Sequence, residues 1–216
     1  FKEEKQIKLS ELDVILMRQD PPFNSNYIYN TYVLESAEKE GVLVVNKPSS
    51  LRDCNEKVFA TEFPECCTPF LVTSDPNLLK SFIEDHGDTV IKPLDGMGGS
   101  SIFRLRYSDP NLNVILETIT ESFTTKVMIQ TYIPEITDGD KRILLINGAP
   151  MNAAVARVPA RGELRGNLAA GASAVARSLT EKDLWICEQV GPKLKELGLV
   201  LVGLDIIGDY LTEINV

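Results

Sequence analysis

The spacing of apolar positions divides the chain into two parts. In the first part, short continuous apolar runs at 13–18 and 42–46 enclose a segment of helical composition at 27–40. Continuous runs of this kind are typical of strands buried on both faces. A strand, a helix and a second strand within some thirty residues predict a βαβ unit with parallel strands. We therefore expect a partial α/β domain at 1–48.

In the second part, 49–216, strands dominate and follow one another without a steady βαβ order. The pattern predicts strands at 68–73, 89–92, 102–106, 127–132, 142–146, 153–158, 200–207 and 211–215, and helices at 55–61, 76–85, 111–121 and 180–197. Asp75 before Pro76, and Thr180 three residues before Asp183, are typical helix starts. Together the two parts predict an α/β domain followed by an α+β domain rich in antiparallel strands.

Composition narrows the class of protein. The chain has 44% apolar residues and a net charge of −9, with 31 acidic and 22 basic residues. This balance argues against nucleic-acid and anionic-membrane partners, which need basic patches. The four cysteines have no zinc-site spacing and predict reduced thiols in a cytoplasmic protein. No apolar run approaches the roughly 18 residues of a membrane span. The chain begins without a cap or turn and ends inside a predicted strand, so we expect 49–216 to be truncated at its C-terminal end.

A glycine-rich loop carries the strongest local signal. Lys92 ends a predicted strand, and Gly96, Gly98 and Gly99 follow before the next strand. Glycines let backbone amides approach phosphate oxygens closely, and the lysine adds positive charge. The segment lacks the ending of a Walker loop, and no helix follows it. The residues alone leave two interpretations open, a phosphate-binding loop and a solvated hairpin tip.

The last predicted hairpin offers oxygen ligands for a metal. Glu213 and Asn215 lie on one face of a strand, because strand side chains alternate. Asp205 joins them if a three-residue turn, Gly208 to Tyr210, pairs it with Glu213. Carboxylate and amide oxygens suit Mg²⁺. A hairpin with a polar, solvated face is the alternative.

Arginines gather in and around a long irregular segment at 159–177, which is rich in Gly and Ala. Such a segment is typically a lid or binding loop, and arginines there could hold carboxylates and developing negative charge. A solvated loop is the other interpretation. His86 is the only histidine, which argues against histidine acid–base catalysis. Ser100 and Ser101 have no base in view, so a serine nucleophile is not expected.

Taken in order, these features resemble the ATP-grasp superfamily, and most closely the bacterial glutathione synthetases. The resemblance spans nearly the whole chain. It rests on the segments at 14–23, 46–48, 51–57, 92–99, 138–142, 165–171, 204–208 and 212–215. It implies an ATP-grasp fold at 49–216, preceded by a remnant of an α/β substrate domain at 1–48.

The resemblance also implies roles for individual residues. Those expected to bind ATP are Lys57, Lys92, Gly96, Gly98, Gly99, Gln130, Tyr132, Ile133 and Asp140. Those expected to hold Mg²⁺, with Mn²⁺ as an alternative, are Asp205, Glu213 and Asn215. Those expected to stabilise charge during catalysis are Arg142 and Arg165, and those expected to bind the peptide substrate are Arg18, Arg157 and Asn167. The segment from about 158 to 173 resembles a lid.

The implied reaction joins γ-glutamylcysteine to glycine. The cysteinyl carboxylate takes the γ-phosphoryl group of ATP, and the glycine amine then displaces phosphate, giving glutathione, ADP and phosphate. Such chemistry depends on positioning and charge neutralisation and requires no protein nucleophile. Two alternatives are another ATP-grasp ligase, such as a D-alanine–D-alanine or glutamate-adding ligase, and a non-catalytic nucleotide-binding regulator. Members of the family form homo-oligomers, and we expect the same here.

Overall fold

Two short strands and one helix in the N-terminal part of the chain build a small parallel unit. The computed structural model describes residues 5–19, 23–96, 100–160, 162, 163, 166 and 171–216. Strands β1 (Val14–Leu16) and β2 (Leu43–Val45) pair in parallel, and helix α1 (Ser25–Lys39) connects them. The Asn24 side chain accepts a hydrogen bond from the Tyr27 amide at 3.1 Å and so caps the start of α1. The predicted βαβ unit is confirmed.

A four-stranded antiparallel sheet forms the first half of the remaining fold. Its strands are, in spatial order, β3 (Phe70–Thr73), β6 (Val127–Thr131), β4 (Asp88–Pro93) and β5 (Phe103–Arg106). Helices α3 (Pro76–His86) and α4 (Leu112–Ile119) cover one face of this sheet. Buried Leu79, Ile83, Ile91 and Leu116 fill the layer between helices and strands, each contributing roughly 1.5–3 kcal/mol to folding. The opposite face of this sheet lines a cavity that is described below.

A five-stranded antiparallel sheet forms the second half. Its strands are, in spatial order, β11 (Tyr210–Asn215), β10 (Leu201–Ile207), β7 (Asp140–Ile146), β8 (Ala149–Val158) and β9 (Ser173–Arg177). Helix α5 (Glu181–Glu196) buries Ile186, Val190 and Leu194 against it. The Thr180 hydroxyl and the Asp183 carboxylate exchange hydrogen bonds with each other's backbone amides, which confirms the predicted capping box.

Two local predictions were wrong. The helix expected at 55–61 begins earlier, as α2 (Pro48–Asp53), because Pro48 sets the first helical position. A 3₁₀ turn follows at Phe59–Glu62. The segment expected to be irregular to residue 177 ends in a strand, since 173–177 pairs with β8.

The two parts meet at Asn46. Its side-chain amide donates to the Leu201 carbonyl, and its side-chain oxygen accepts from the Leu201 amide, both at 2.8 Å. Nearby, the Lys47 amide donates to the Gly198 carbonyl at 3.2 Å. These bonds fix the end of the βαβ unit to the first residue of β10. Among the described residues, no helix is long and apolar enough to cross a membrane.

Candidate functional site

A cavity of about 400 Å³ lies between the two antiparallel sheets. The face of the four-stranded sheet away from α3 and α4 forms one wall, and the face of the five-stranded sheet away from α5 forms the other. Predicted site residues from both sheets line it: Lys92, Gly96, Gln130, Tyr132, Ile133, Asp140, Arg142, Arg157, Asp205, Glu213 and Asn215. The fold therefore brings most of the sequence-predicted residues into one place.

Two buried lysines mark one end of this cavity. The Lys57 side chain is 2% exposed, and its ammonium donates to the Gly96 carbonyl at 2.7 Å and to the Glu56 carboxylate. The Lys92 ammonium lies 3.6 Å from Glu213 Oε1, and Lys57 lies 3.7 Å from the same oxygen. The two lysines thus converge on one carboxylate, and Lys57 also contacts the start of the glycine loop. This end of the cavity suits phosphate groups, once the carboxylate has another partner.

The predicted pairing of Asp205 with Glu213 is present, but the three-residue turn expected to produce it is not. The turn is two residues long, since Ile207 pairs with Tyr210. The register shifts next to Asp205, so that Thr212 is an extra residue and Asp205 still pairs with Glu213. A β-bulge therefore does what we expected of a three-residue turn. The Thr212 hydroxyl fixes the bulge by donating to the Asp205 carbonyl at 3.0 Å.

Four charged side chains form a partly buried network on the five-stranded sheet. Arg142 holds Asp205 with two hydrogen bonds, of which the one from Nη2 measures 2.7 Å. Arg157 Nη2 lies 2.9 Å from Asp205 Oδ2 and also binds Asp140. Burial and the neighbouring Asp205 carboxylate raise the pKa of Asp140 above its usual value. Asp140 Oδ1 is buried without a hydrogen-bond partner among the described residues.

A second cavity, of about 310 Å³, lies between the βαβ unit and the five-stranded sheet. The βαβ unit contributes Met17, Arg18, Phe23 and Tyr27, and β10 contributes Leu201, Val202 and Gly203. Glu56, Arg142 and Asn215 line this cavity and the first one as well. The two cavities therefore meet at these three side chains, and Arg142 has access to a ligand in either of them.

Four predicted site residues lie outside the described residues. They are Gly98, Gly99, Arg165 and Asn167, and the structure does not test the roles expected of them. Gly166, between the last two, is described and lines the first cavity. A Cβ at Gly166 would lie 3.0 Å from the Asp140 Cβ and 3.0 Å from the Arg157 carbonyl oxygen. Glycine at this position therefore permits close contact with the charged network.

Sequence reasoning missed two residues of this region. Glu56 lies where the cavities meet, and Arg104 lies at the end of the first cavity away from the lysines. The alternation of Phe103, Arg104, Leu105 and Arg106 predicts a strand with one buried and one solvated face. Nothing in that pattern distinguishes Arg104, which lines a cavity, from Arg106, which does not.

The residues present fit a magnesium site in their chemistry. Asp205, Glu213 and Asn215 supply hard oxygen donors from neighbouring strands, which is the donor type that Mg²⁺ prefers. The Asn215 side-chain amide donates to Asp205 Oδ2 at 3.3 Å, leaving its oxygen as a donor to a metal. Within the described ranges, no group of three His, Cys, Asp or Glu side chains is arranged to hold a metal ion. The third donor here is an asparagine, and both carboxylates are paired with cations.

Comparison with known proteins identifies the family. The N-terminal domain model of the prokaryotic glutathione synthetases matches residues 1–52, and their ATP-grasp domain model matches residues 56–216. The chain belongs to this family. Glutathione synthetase of Pseudomonas putida is 62% identical over 214 residues, which cover 99% of the chain and 68% of that relative. Glutathione synthetase of Escherichia coli O6:H1 is 57% identical over 216 residues, again 68% of its length.

Solved structures confirm the ATP-grasp fold. D-cycloserine synthetase DcsG superposes with a TM-score of 0.71 at 14% identity, over 99% of the chain and 78% of that structure. A D-alanine–D-alanine ligase from Bacillus anthracis gives 0.60 at 18% identity, over 94% and 68%. Membership of the glutathione synthetase family makes the chain part of an ATP-dependent ligase. The expected boundary at residue 48 and the individual site roles stay predictions.

Proposed function

We propose that the chain ligates γ-glutamylcysteine to glycine, with ATP in the cavity between the sheets and the dipeptide in the cavity beside the βαβ unit. The observation that carries this assignment is the meeting of the two cavities at Glu56, Arg142 and Asn215. A carboxylate entering from one side and a terminal phosphate entering from the other come together beside Arg142. A guanidinium can bind both groups through paired hydrogen bonds.

In this assignment, the lysine end of the first cavity receives the phosphates. Lys57 and Lys92 would bind their oxygens, and the loop that begins at Gly96 would cover them. At the other end, Gln130, Tyr132 and Ile133 would hold the adenine. Asp140, whose Oδ1 lacks a partner among the described residues, would accept a hydrogen bond from the ribose.

Magnesium, or manganese in its place, would be held by Asp205, Glu213 and Asn215. When bound, the metal supplies positive charge that neutralises the phosphate oxygens. The chain's own contribution is to bring the three oxygen donors to one side of the β10–β11 hairpin. The bulge at Thr212 is what places Asp205 opposite Glu213.

The dipeptide's reacting carboxylate would lie against Arg142, while Arg18 and Arg157 contact the rest of the substrate. An oxygen of that carboxylate attacks the γ-phosphorus, and the bond to the leaving ADP oxygen breaks. The glycine amine then attacks the acyl carbon and forms the amide bond. Phosphate leaves with the electron pair of the broken C–O bond, and the amine's proton passes to the leaving phosphate or to solvent. Arg142 and Arg165 would stabilise the negative charge that develops in both steps, and Asn167 would contact the substrate.

Phosphate release by the full-length protein tests this proposal. With Mg²⁺ and ATP present, γ-glutamylcysteine and glycine are added separately and then together, and glutathione and ADP are quantified. Release that requires both, with equal amounts of glutathione and ADP, supports the assignment. Turnover with a different carboxylate and amine would retain the ligase and reject the substrates. ATP binding without turnover across a broad panel would indicate a regulator.

Matched variants test the roles. Glu213→Gln removes a proposed metal ligand without changing size, and we expect at least a hundredfold loss of kcat with a raised Mg²⁺ requirement. Glu84→Gln makes the same chemical change on the exposed face of α3, and its activity should match the wild type within twofold. Arg165→Ala tests the segment outside the described residues, and we expect it to lower kcat. Equal losses from Glu213→Gln and Glu84→Gln would contradict the metal assignment.

Three further points are part of the proposal. We propose the division into a substrate domain at 1–48 and an ATP-grasp domain at 49–216, a cytoplasmic location, and assembly into a homo-oligomer. Size-exclusion chromatography with light scattering would measure the last of these directly. A monomeric mass at micromolar concentration would contradict it.

A further inference from the structure

Arg104 is held rigidly at the edge of the four-stranded sheet. It lies on β5 and pairs with Val90 on β4, so its side chain is on the face that lines the first cavity. Its Nε donates to Asp88 Oδ1 at 2.8 Å, and its Nη2 donates to Asp88 Oδ2 at 2.5 Å. The guanidinium carbon lies 3.7 Å from the centre of the Tyr132 ring. Two hydrogen bonds and one aromatic contact therefore fix the guanidinium plane.

The place where Arg104 is held is the end of the cavity away from the phosphate-binding lysines. Along β4, Asp88 precedes Lys92 by four residues, which corresponds to roughly 13 Å of extended strand. Apolar side chains also line this cavity: Val90, Ile102, Ile133, Ile136 and Ile207. A nucleotide with its phosphates at Lys57 and Lys92 has its base among these apolar side chains, next to Arg104 and Tyr132.

We propose that Arg104 is a nucleotide-binding residue whose guanidinium packs against the purine base of ATP. This inference rests on the proposed function for the location of the phosphates. A guanidinium is planar and more weakly hydrated than an ammonium, so it stacks on aromatic rings at low desolvation cost. Asp88 fixes its orientation before the nucleotide arrives. Arg104 thus adds a planar cation to a cavity that is also lined by the apolar side chains of Val90, Ile102, Ile133, Ile136 and Ile207.

The alternative is that Arg104 only forms a surface ion pair. Arg106 provides the comparison, because it donates to the same Asp88 carboxylate at 2.8 Å from Nη2. The Arg106 side chain is 61% exposed and does not line the cavity, whereas that of Arg104 is 32% exposed and does. Both arginines share one ion-pair partner and one strand, and they differ in their access to the cavity.

Titration calorimetry with ADP and with ATP on the full-length protein separates these roles. We expect Arg104→Ala to raise both dissociation constants by roughly threefold to thirtyfold, as for the loss of a partly desolvated guanidinium–ring contact. Arg104→Lys keeps the positive charge but loses the planar guanidinium group. It should recover less than half of the nucleotide affinity that is lost in Arg104→Ala. Arg106→Ala should change both constants by less than twofold. In steady-state assays, Arg104→Ala should raise the KM for ATP while those for γ-glutamylcysteine and glycine stay within twofold.

Unchanged nucleotide affinity in a folded Arg104→Ala protein would overturn the inference, as would equal effects of Arg104→Ala and Arg106→Ala. Full rescue by Arg104→Lys would show that charge alone matters and would overturn the packing against the base. The proposed function and the role of Arg104 can be rejected independently of each other. A wild-type protein that binds ATP in an Arg104-dependent way, yet makes no glutathione, would retain this inference and reject the ligation of γ-glutamylcysteine to glycine.

Discussion

Replacing Asn46 by alanine should destabilise the protein by breaking the clamp between its two parts. The Asn46 residue is 3% exposed, and its side chain makes both hydrogen bonds to the Leu201 backbone, each at 2.8 Å. Strand β11 ends where Asn215 pairs with Gly203, so Leu201 lies beyond the reach of that strand. The Asn46 side-chain amide therefore makes the two hydrogen bonds that a paired strand would otherwise make with the Leu201 backbone. No other side chain is positioned to satisfy the same two backbone groups in the described structure.

The magnitude follows from these two groups. An amide or carbonyl left unpaired in a largely buried setting costs roughly 1–3 kcal/mol. Leu201 is only partly buried, so the low end of that range applies to each group, and the lost Asn46 packing adds to the sum. We expect a total of about 3 kcal/mol. For a chain of this size, that corresponds to a decrease of roughly 6–12 °C in Tm.

Urea unfolding followed by circular dichroism, together with scanning calorimetry, measures this loss. Asn113→Ala is the matched control, since Asn113 is exposed on α4, and it should stay within about 0.5 kcal/mol of wild type. The second cavity has walls from both sides of the clamp, so we also expect a raised KM for γ-glutamylcysteine with little change for ATP. An Asn46→Ala protein as stable as Asn113→Ala would refute the reasoning.

Three further predictions concern the site and its surroundings. A Cβ at Gly203 would lie 2.7 Å from the Arg142 Cδ, so Gly203→Ala should displace Arg142 and lower kcat at least tenfold while Tm falls by less than about 3 °C. Hydrogen bonds from Arg104 lower the pKa of Asp88 to about 2, below roughly 3.9 in the unfolded chain. The stability that Asp88 contributes is thus complete above pH ~4 and lost between ~4 and ~2, so urea melts of wild type and Asp88→Asn should converge over that interval. Burial raises the thiol pKa values to about 11 or 12, so iodoacetamide at neutral pH should label the native cysteines far more slowly than the unfolded ones: Cys54, Cys66, Cys67 and Cys187.

The elements with local signals could be predicted from the sequence. Asp75 before Pro76 starts α3, with its carboxylate accepting from the Asn77 amide at 2.8 Å. The capping box at Thr180 starts α5 in the same way. Both predictions succeeded because the capping side chain and the backbone groups that it satisfies lie within four residues of each other. The helix expected at 55–61 failed for a related reason, because Pro48 started a helix before it.

The convergence of site residues was only partly predictable. Strand alternation places Glu213 and Asn215 on one face, and the structure has both on the cavity side. The bulge that brings Asp205 opposite Glu213 leaves no signal in a single sequence, because it depends on pairing between two strands. The contact between Arg142 and the Asp205 carboxylate also leaves no signal, because the two residues are 63 positions apart along the chain. Arg104 was missed since its distinguishing contact, with Tyr132, joins two residues that are 28 positions apart along the chain.

The charged side chains around the phosphate end of the first cavity pair with one another in the free protein. In the proposed function, the same side chains contact the nucleotide and the metal. Four cations and four carboxylates lie together there: Lys57, Lys92, Arg142, Arg157, Glu56, Asp140, Asp205 and Glu213. Their formal charges cancel. The proposed metal ligand Glu213 lies beside Lys57 and Lys92, and the proposed metal ligand Asp205 is held by Arg142 and Arg157. Phosphates alone would face those carboxylates, at about 4 kcal/mol per pair of like charges at 4 Å. A metal alone would take the carboxylates from the cations and leave the cations without counter-charge. The charges stay balanced when the phosphates and the metal bind together. We therefore infer that the chain binds the nucleotide as its metal complex.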